Sequence, residues 1–271
     1  MFRLTPVVKN ILIINVILLL VSQMTGLQIM GRSLNDLFAL HYIQGENFSP
    51  FQLVTHMFMH AGFMHLLSNM IGLIVFGPKL EWIWGPKRFL LFYFVTGLGA
   101  AALQMTAYFF ELSPKLAIIN DYLQDPSLAV FKSIMDSNSL QINPRALMEI
   151  QNNIESTALL NPDRAIDQSV VYMGQIQEFL LNSYRMVGAS GAVLGIAMGF
   201  ALYFPNTEMV IFPIMIPVKA KYLVIFYFLY EFYSIWAASP SDNVAHFAHI
   251  GGMVFGYLLI RYWNSKRNRF W

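Results

Sequence analysis

The sequence predicts an all-α membrane protein whose core is a bundle of six transmembrane helices. Its 271 residues are 56% hydrophobic and only 12% charged, whereas soluble domains usually carry about 25% charged residues. Six apolar stretches approach the roughly 20 residues that a helix needs to span a bilayer. They cover residues 7–27, 56–76, 89–110, 187–204, 222–238 and 244–263. The chain has no cysteine, which excludes a disulfide framework and thiolate chemistry.

The distribution of basic residues orients these six predicted spans. With six spans, both termini and the loops at 77–88 and 205–221 lie on one side of the membrane, and most of the 17 lysines and arginines fall there. The positive-inside rule therefore predicts that the N-terminus and the C-terminus are cytoplasmic. The first span has a positive flank but no small-residue cleavage site, so we expect an uncleaved helix. The compact plan favours a bacterial inner membrane, and an organelle membrane stays open as the alternative.

Residues 111–186 are predicted to be an extracytoplasmic insertion between spans three and four of a single domain over residues 1–271. The segment is rich in aspartate and glutamate. Asn143 precedes Pro144 and Asn161 precedes Pro162, and an asparagine cap followed by proline is typical of a helix start. Apolar residues then recur at helical spacing, which predicts two or three amphipathic helices. Their role stays open between a cap on the outer loops and a substrate-docking element.

Polar side chains inside the predicted spans are costly in lipid and usually mark a structural or functional site. His65 and Asn69 lie four residues apart in the second span, so their side chains share a helix face. Ser190 lies at the outer end of the fourth span, and His249 lies in the outer half of the sixth. Glu231 lies inside the fifth span, where we expect a buried hydrogen bond to a partner that the sequence does not identify.

Two stripes of glycine predict that the fourth and sixth spans pack closely. The glycines recur at four-residue spacing, as Gly191, Gly195 and Gly199 in one span and Gly252 and Gly256 in the other. This spacing lets helix backbones approach. The two spans run in the same direction, so facing stripes would bring Ser190 and His249 to a similar depth. At that depth the imidazole could take the proton of the hydroxyl.

Three segments together resemble the rhomboid family. They are the Gly-x-Ser-Gly element at residues 188–191, the pair Ala248 and His249 with glycines three and seven residues after the histidine, and the second-span set His60, His65 and Asn69 with Glu81 beyond it. Each motif alone is weak, but three motifs in family order on three spans are specific. The resemblance covers the six-span core and not residues 111–186.

This resemblance implies an intramembrane serine endopeptidase that uses a Ser190–His249 dyad without a third acid. Ser190 would attack a peptide carbonyl, and His249 would accept its proton and donate it to the leaving amine. The Ser190 backbone N–H, with the His65 and Asn69 side chains, would hold the oxyanion. The substrates would be transmembrane proteins cut within or near the outer side of their helix. The expected partners are these substrates and the lipid bilayer, with no cofactor, metal or nucleic acid, and the oligomeric state is not indicated.

The chain departs from the family pattern at three places. One is the segment at residues 111–186 between the third and fourth spans, a connection that is often short in the family. The Trp-Arg pair that often precedes the second-span histidines is replaced by Phe51 and Gln52. The tyrosine that some members carry four residues after the nucleophile, stacked on the base, is Leu194 here. The first loop and the base are therefore expected to be held in other ways.

Other polar residues near these motifs have competing interpretations. His246 is a rival for the base, but the glycine spacing favours His249 and places His246 near the membrane interface. His60 lies five residues before His65 and is expected to face away from it as a structural hydrogen bonder. Glu81 is expected to anchor a helix to a loop at the cytoplasmic end.

Two other functions remain open at this point. One is a catalytically silent rhomboid-like protein that binds membrane clients without cutting them. The other is a polytopic metal carrier or channel built on His56, His60 and His65. The absence of thiolates, of a carboxylate within residues 56–69 and of a His-Glu-x-x-His element argues against a metal function.

Overall fold

The computed structural model is mostly helical and describes residues 3–24, 26, 28–29, 31–211, 215–237 and 244–267. The helices are α1 (Pro6–Met24), α2 (Leu34–Phe38), α3 (Gln52–Thr55), α4 (Phe63–Trp84), α5 (Pro86–Gln124), α6 (Leu128–Ser137), α7 (Pro144–Leu160), α8 (Pro162–Ser183), α9 (Ser190–Tyr203), α10 (Ala220–Ala237) and α11 (His246–Arg267). Short antiparallel strand pairs join β1 (Gln28–Ile29) to β2 (Arg32–Ser33), β3 (Leu40–His41) to β4 (Arg185–Met186), and β5 (Glu208–Ile211) to β6 (Ile216–Lys219). The prediction of a mostly helical protein is confirmed.

Several of these helices have the composition of membrane spans. Pro6–Gln23 within α1, all of α4 and all of α5 are long and apolar enough to cross a bilayer, and α9 is an apolar but shorter helix. Large apolar side chains cover the outward faces of α1 and α10, including Ile17 and Trp236. Such faces are unfavourable in water and match a lipid environment. The protein is therefore an integral membrane protein, while the count of six spans stays a prediction.

The helices that contain the predicted second and third spans have other limits than those spans. Residues 56–62 form a 3₁₀ turn and an irregular segment, and α4 begins only at Phe63 and runs to Trp84. The third helix does not end near residue 110 but continues as α5 to Gln124, through Pro114. Hydropathy locates apolar side chains, whereas helix ends depend on backbone hydrogen bonds and on residues such as Gly85, which has a φ of 76° at the end of α4. The predicted span ends at residues 27 and 238 lie outside the described residues.

The first compact unit comprises Met1–His41, Phe48–Thr106 and Arg185–Trp271. Its central helix is α9, which packs against α4, α10 and α11. The glycine stripes of α9 and α11 face each other as predicted, since a Cβ on Gly252 would lie 1.8 Å from the carbonyl oxygen of Gly191. Farther along, a Cβ on Gly256 would lie 2.9 Å from the carbonyl oxygen of Gly195. The two backbones are thus in direct contact, which side chains larger than hydrogen would prevent.

Glu81 anchors the start of α1, as the sequence suggested. Its buried carboxylate accepts hydrogen bonds from the backbone N–H groups of Val7 and Val8 at 2.9 and 3.0 Å, and from the hydroxyl of Thr5. These N–H groups belong to the first turn of a helix, where they have no intrahelical partner. The carboxylate of α4 therefore caps α1 and fixes where the first helix meets the bundle.

The second compact unit comprises Tyr42–Asn47 and Ala107–Tyr184. It contains the last part of α5 together with α6, α7 and α8. The Asn143 side chain accepts a hydrogen bond from Arg145 N at the start of α7, and Asn161 accepts one from Arg164 N at the start of α8. The two helix starts predicted from the Asn-Pro pairs are confirmed. The placement of this unit outside the membrane stays a prediction.

Candidate active site

Ser190 is the first residue of α9, and a glycine turn places it there. Gly188 has a φ of 128°, a conformation that favours glycine, and its N–H donates to the carbonyl of His56 at 2.8 Å. A Cβ on Gly188 would lie 2.8 Å from the His65 ring and 3.7 Å from Ser190 Oγ. The glycine therefore supplies both the backbone conformation and the open space between these two side chains.

The position of Ser190 also exposes its backbone donor. The first N–H groups of an α-helix have no partner within the helix and point out of its N-terminus. This end carries the positive end of the helix dipole, which stabilises nearby negative charge. A negative oxygen beside Ser190 would therefore meet an oriented backbone N–H.

His249 lies against Ser190. Its Nε2 is 2.9 Å from Ser190 Oγ, and the residue is 8% exposed. The first turn of α11 is held by Gln104 of α5, whose Oε1 accepts a hydrogen bond from Ala248 N at 3.1 Å. The structure thus brings together the two residues that the facing glycine stripes predicted to lie at a similar depth.

A carboxylate completes the surroundings of His249 and was not assigned to it from the sequence. Glu231 of α10 is 1% exposed, and its Oε1 lies 2.9 Å from His249 Nδ1. Its second oxygen, Oε2, lies 2.5 Å from the Nδ1 of His246. Tyr227 precedes Glu231 by one turn of α10, and its ring lies 6.4 Å from the His249 ring, centroid to centroid. The expected buried hydrogen bond of Glu231 is confirmed, and His246, expected near the interface, binds this same carboxylate.

One signal in the sequence could have located this partner. Consecutive helices that run antiparallel bring the end of the first near the start of the second, and α10 contacts α11. Glu231 lies in the last turns of α10, while His246 and His249 lie in the first turn of α11. The sequence could therefore have paired Glu231 with the two histidines at the start of the next helix.

His65 and Asn69 lie in the first two turns of α4, and the His65 ring lies beside Gly188. The His65 ring packs edge-on to the His60 ring, with centroids 5.0 Å apart. The prediction that His60 faces away from His65 is wrong, because His60 precedes the helix and helical spacing does not apply to it. Asn69 is buried, and its Nδ2 donates to the His65 carbonyl at 3.0 Å. An amide nitrogen has two hydrogens, so one remains for another acceptor.

Gln52 organises the first loop in place of the Trp-Arg pair that the family often has. The side chain is buried; its Oε1 accepts from His41 N at 3.3 Å and from Ser49 N at 3.1 Å, while its Nε2 donates to Leu37 O at 3.1 Å. The Gln52 backbone carbonyl lies 2.7 Å from His56 Nδ1. Because His56 O binds Gly188 N, this loop reaches the turn that presents Ser190.

The residues that converge as potential metal ligands are Glu231, His246 and His249. One ligand atom from each lies within 4.8 Å of the others in the described part of the chain. This group differs from the set of His56, His60 and His65 considered from the sequence. Within the described residues, His56, His60 and His65 do not converge in this way, so the structure gives the carrier interpretation no support.

A comparison with models of protein families identifies the family of this chain. The rhomboid domain matches residues 47–111 and 166–265, which is more than half of the chain. The protein belongs to the rhomboid family. The matched segments contain Ser190, His249, His65, Asn69 and Glu231, whereas residues 112–165 of the insertion lie outside them.

Curated rhomboid relatives match over parts of their length. RHOMBOID-like protein 12, mitochondrial, from Arabidopsis thaliana is 28% identical over 66% of this chain and 57% of its own length. RHOMBOID-like protein 6, mitochondrial, from the same plant is 40% identical over 22% of this chain and 19% of its own. Rhomboid-like protease 3 from Toxoplasma gondii is 33% identical over 22% of this chain and 23% of its own. The chain thus spans little more than half of the first relative and less of the others.

Proposed function

We propose that this rhomboid protein is an intramembrane serine endopeptidase with Ser190 as nucleophile and His249 as base. The observation that carries the proposal is the 2.9 Å contact between His249 Nε2 and Ser190 Oγ. A general base must lie within about 2.6–3.2 Å of the group whose proton it takes. The name of the Toxoplasma relative, a protease, agrees with this reading.

In the proposed reaction, these two side chains and water make and break the covalent bonds and transfer the protons. Ser190 Oγ bonds to the substrate carbonyl carbon while its proton moves to His249 Nε2 and the carbonyl electron pair moves to oxygen. The C–N bond then breaks, and Nε2 gives the proton to the leaving nitrogen. A water molecule attacks the resulting ester through the same base, which releases the acid and restores the Ser190 hydroxyl.

The oxyanion would be held in the space beside Gly188. The Ser190 backbone N–H, at the start of α9, would donate into this space, and the His65 ring borders it, since a Cβ on Gly188 would lie 2.8 Å from that ring. Asn69 would supply the amide hydrogen that does not bind the His65 carbonyl. Donors fixed in advance in a site of low dielectric constant contribute several kcal/mol to a transition state, about 3 kcal/mol for a single donor.

The proposed substrates are transmembrane proteins cut near the outer side of their helix. This follows from membership of a membrane-protein family and from the predicted topology, with both termini cytoplasmic and residues 111–186 outside. A bacterial inner membrane also stays a prediction, and two matched relatives are named as mitochondrial. Single cysteines introduced into this cysteine-free chain test the topology: an impermeant maleimide should label position 163 but not position 87 in intact cells, and the reverse pattern would overturn it.

A fluorophosphonate probe tests the activity. Purified wild-type protein should be labelled, while Ser190→Ala should show no labelling and His249→Ala a rate lower by at least about 10²-fold. Ser265→Ala is the matched serine control, because its hydroxyl only binds the Tyr262 carbonyl on the exposed end of α11. Labelling of Ser190→Ala at the wild-type rate would exclude Ser190 as the nucleophile. A folded wild type without labelling would instead support the silent, client-binding alternative.

A further inference from the structure

We infer that Glu231 is a positioning residue that holds His249 as the base, so that the site works as a Ser-His-Glu triad rather than as an unsupported dyad. The inference rests on the proposed function, because it assigns a role within the same reaction. It adds a third residue, on a third helix, to the pair that the family resemblance implies.

The first step in the argument is the tautomer of His249. An ionised carboxylate only accepts hydrogen bonds. Glu231 Oε1 lies 2.9 Å from His249 Nδ1, so Nδ1 carries the proton. In a neutral imidazole the other nitrogen, Nε2, then has a free lone pair, and it faces Ser190 Oγ at 2.9 Å. This is the only neutral tautomer in which His249 can accept the serine proton.

The second step is charge. When His249 takes the proton it becomes an imidazolium. Its positive charge would be costly to bury, and His249 is only 8% exposed and Glu231 1% exposed. A carboxylate at hydrogen-bond distance offsets that cost. The carboxylate keeps its negative charge throughout, and the Nδ1 proton stays on the imidazole.

The third step is the rigidity of the carboxylate itself. The side chain of Glu231 is bound at Oε2 by His246 and at Oε1 by His249. The Tyr227 ring additionally lies 6.4 Å from the His249 ring, centroid to centroid. Tyr227 and Glu231 are one helical turn apart on α10, so a single face of that helix holds the base. A buried carboxylate bound at both oxygens cannot turn away without breaking several hydrogen bonds.

A metal ion is the competing use of the same three groups. Glu231, His246 and His249 have the composition of a zinc site, and their ligand atoms lie within 4.8 Å of one another. A metal on His249 Nδ1 would put the remaining proton of a neutral ring on Nε2, which then donates to Ser190 instead of accepting its proton. Metal binding and base function are therefore opposed, which makes the two roles separable by experiment.

The test compares Glu231→Gln with Glu231→Asp by fluorophosphonate labelling of the full-length protein. Glutamine is close to glutamate in shape but offers an amide N–H to Nδ1. This favours the tautomer that has its proton on Nε2, which cannot accept the serine proton. We expect kinact for Glu231→Gln to fall by about 10²- to 10⁴-fold with KI unchanged. Glu231→Asp keeps the charge and should recover a measurable part of the rate. Glu81→Gln is the matched control: it changes another buried, hydrogen-bonded glutamate and should lower thermal stability without changing kinact.

A spectroscopic measurement adds a readout that a merely structural role would not change. In ¹⁵N-histidine-labelled Ser190→Ala protein, which is inactive by design, the His249 nitrogen shifts should report a proton on Nδ1. The same shifts should report a proton on Nε2 after Glu231→Gln. An unchanged tautomer in that variant would overturn the inference.

The remaining outcomes separate this inference from the proposed function. Wild-type kinact in a folded Glu231→Gln protein, with labelling still lost in Ser190→Ala, would refute the triad and leave the protease. Loss of labelling after treatment with a chelator, restored by Zn²⁺, would show that these groups serve a metal and would also refute the triad. An unlabelled wild type would refute the proposed function, whereas the nitrogen shifts would still show whether Glu231 sets the tautomer.

Discussion

Gly252→Ala should disrupt the Ser190–His249 pair without touching either residue. A Cβ at position 252 would lie 1.8 Å from the carbonyl oxygen of Gly191 and 2.6 Å from its carbonyl carbon. Both are backbone atoms of α9, so no side-chain rotation relieves the clash. The two helices would have to separate by about 1 Å or more, and overpacking of this kind typically costs roughly 1–3 kcal/mol.

The same separation acts on the reacting atoms. Gly252 follows His249 by three residues and Gly191 follows Ser190 directly, so a shift at the contact is passed to the pair. Their present distance is 2.9 Å, and a displacement of about 1 Å takes it outside hydrogen-bond range. Misplacement of this size costs about 10²-fold in rate. We therefore expect the labelling rate of Gly252→Ala to fall by roughly that factor.

The assay is the fluorophosphonate labelling rate, measured below the unfolding midpoint of each variant. Gly256→Ala should have a smaller effect, because its Cβ would meet the Gly195 carbonyl oxygen at 2.9 Å. Gly174→Ala is the control, since its Cβ meets nothing within 4 Å, and it should stabilise α8 by about 0.5–1 kcal/mol. Wild-type labelling and an unchanged midpoint in Gly252→Ala would refute the close contact of α9 with α11.

Two further predictions concern stability. Glu81→Gln should destabilise the protein by about 1–3 kcal/mol, because the first N–H groups of α1 lose a charged acceptor; chemical denaturation measures this, and an unchanged free energy of unfolding would contradict it. The second prediction concerns Asp36. Partial burial raises the pKa of Asp36, but the hydrogen bond and charge of Arg32, with the charges of Arg185 and His41, outweigh it and hold the pKa below its ordinary value of 3.8. The ion pairs therefore stabilise the fold fully above that value and lose their effect as the pH falls through the lower folded pKa. The difference in unfolding midpoint between the wild type and Asp36→Asn should be present at pH 7 and shrink below about pH 4, and an equal difference at pH 3 would contradict it.

Features that depend on local or periodic patterns were predictable from the sequence. The helix starts at Pro144 and Pro162 follow from an asparagine whose side chain reaches its own backbone a few residues on. The contact of α9 with α11 follows from glycines at four-residue spacing, since one helix face must be free of side chains for backbones to touch. Each of these patterns is visible within a single stretch of sequence, without knowing how the helices are arranged around one another.

Features that depend on how adjacent helices are packed and rotated were not predictable in the same way. The partner of Glu231 is set by how α10 is rotated against α11, and hydropathy says nothing about that rotation. His60 was placed by helical spacing, but the chain there is not helical, because α4 begins only at Phe63. The side-chain contact between His60 and His65 therefore arises from an irregular segment that periodicity cannot describe.

Under the proposed function, contacts from α10 take the place of the family features that this chain lacks around His249. Leu194, where some members carry a stacking tyrosine, packs into the apolar core beside α9. In its place, Tyr227 and Glu231 approach His249 from α10. Ser190 and the residues that contact His249 from α10 thus lie on different helices. Under the proposed triad, a substitution that rotates α10 should impair the base while Ser190 keeps its place on α9, whereas in a site supported from α9 the two would change together.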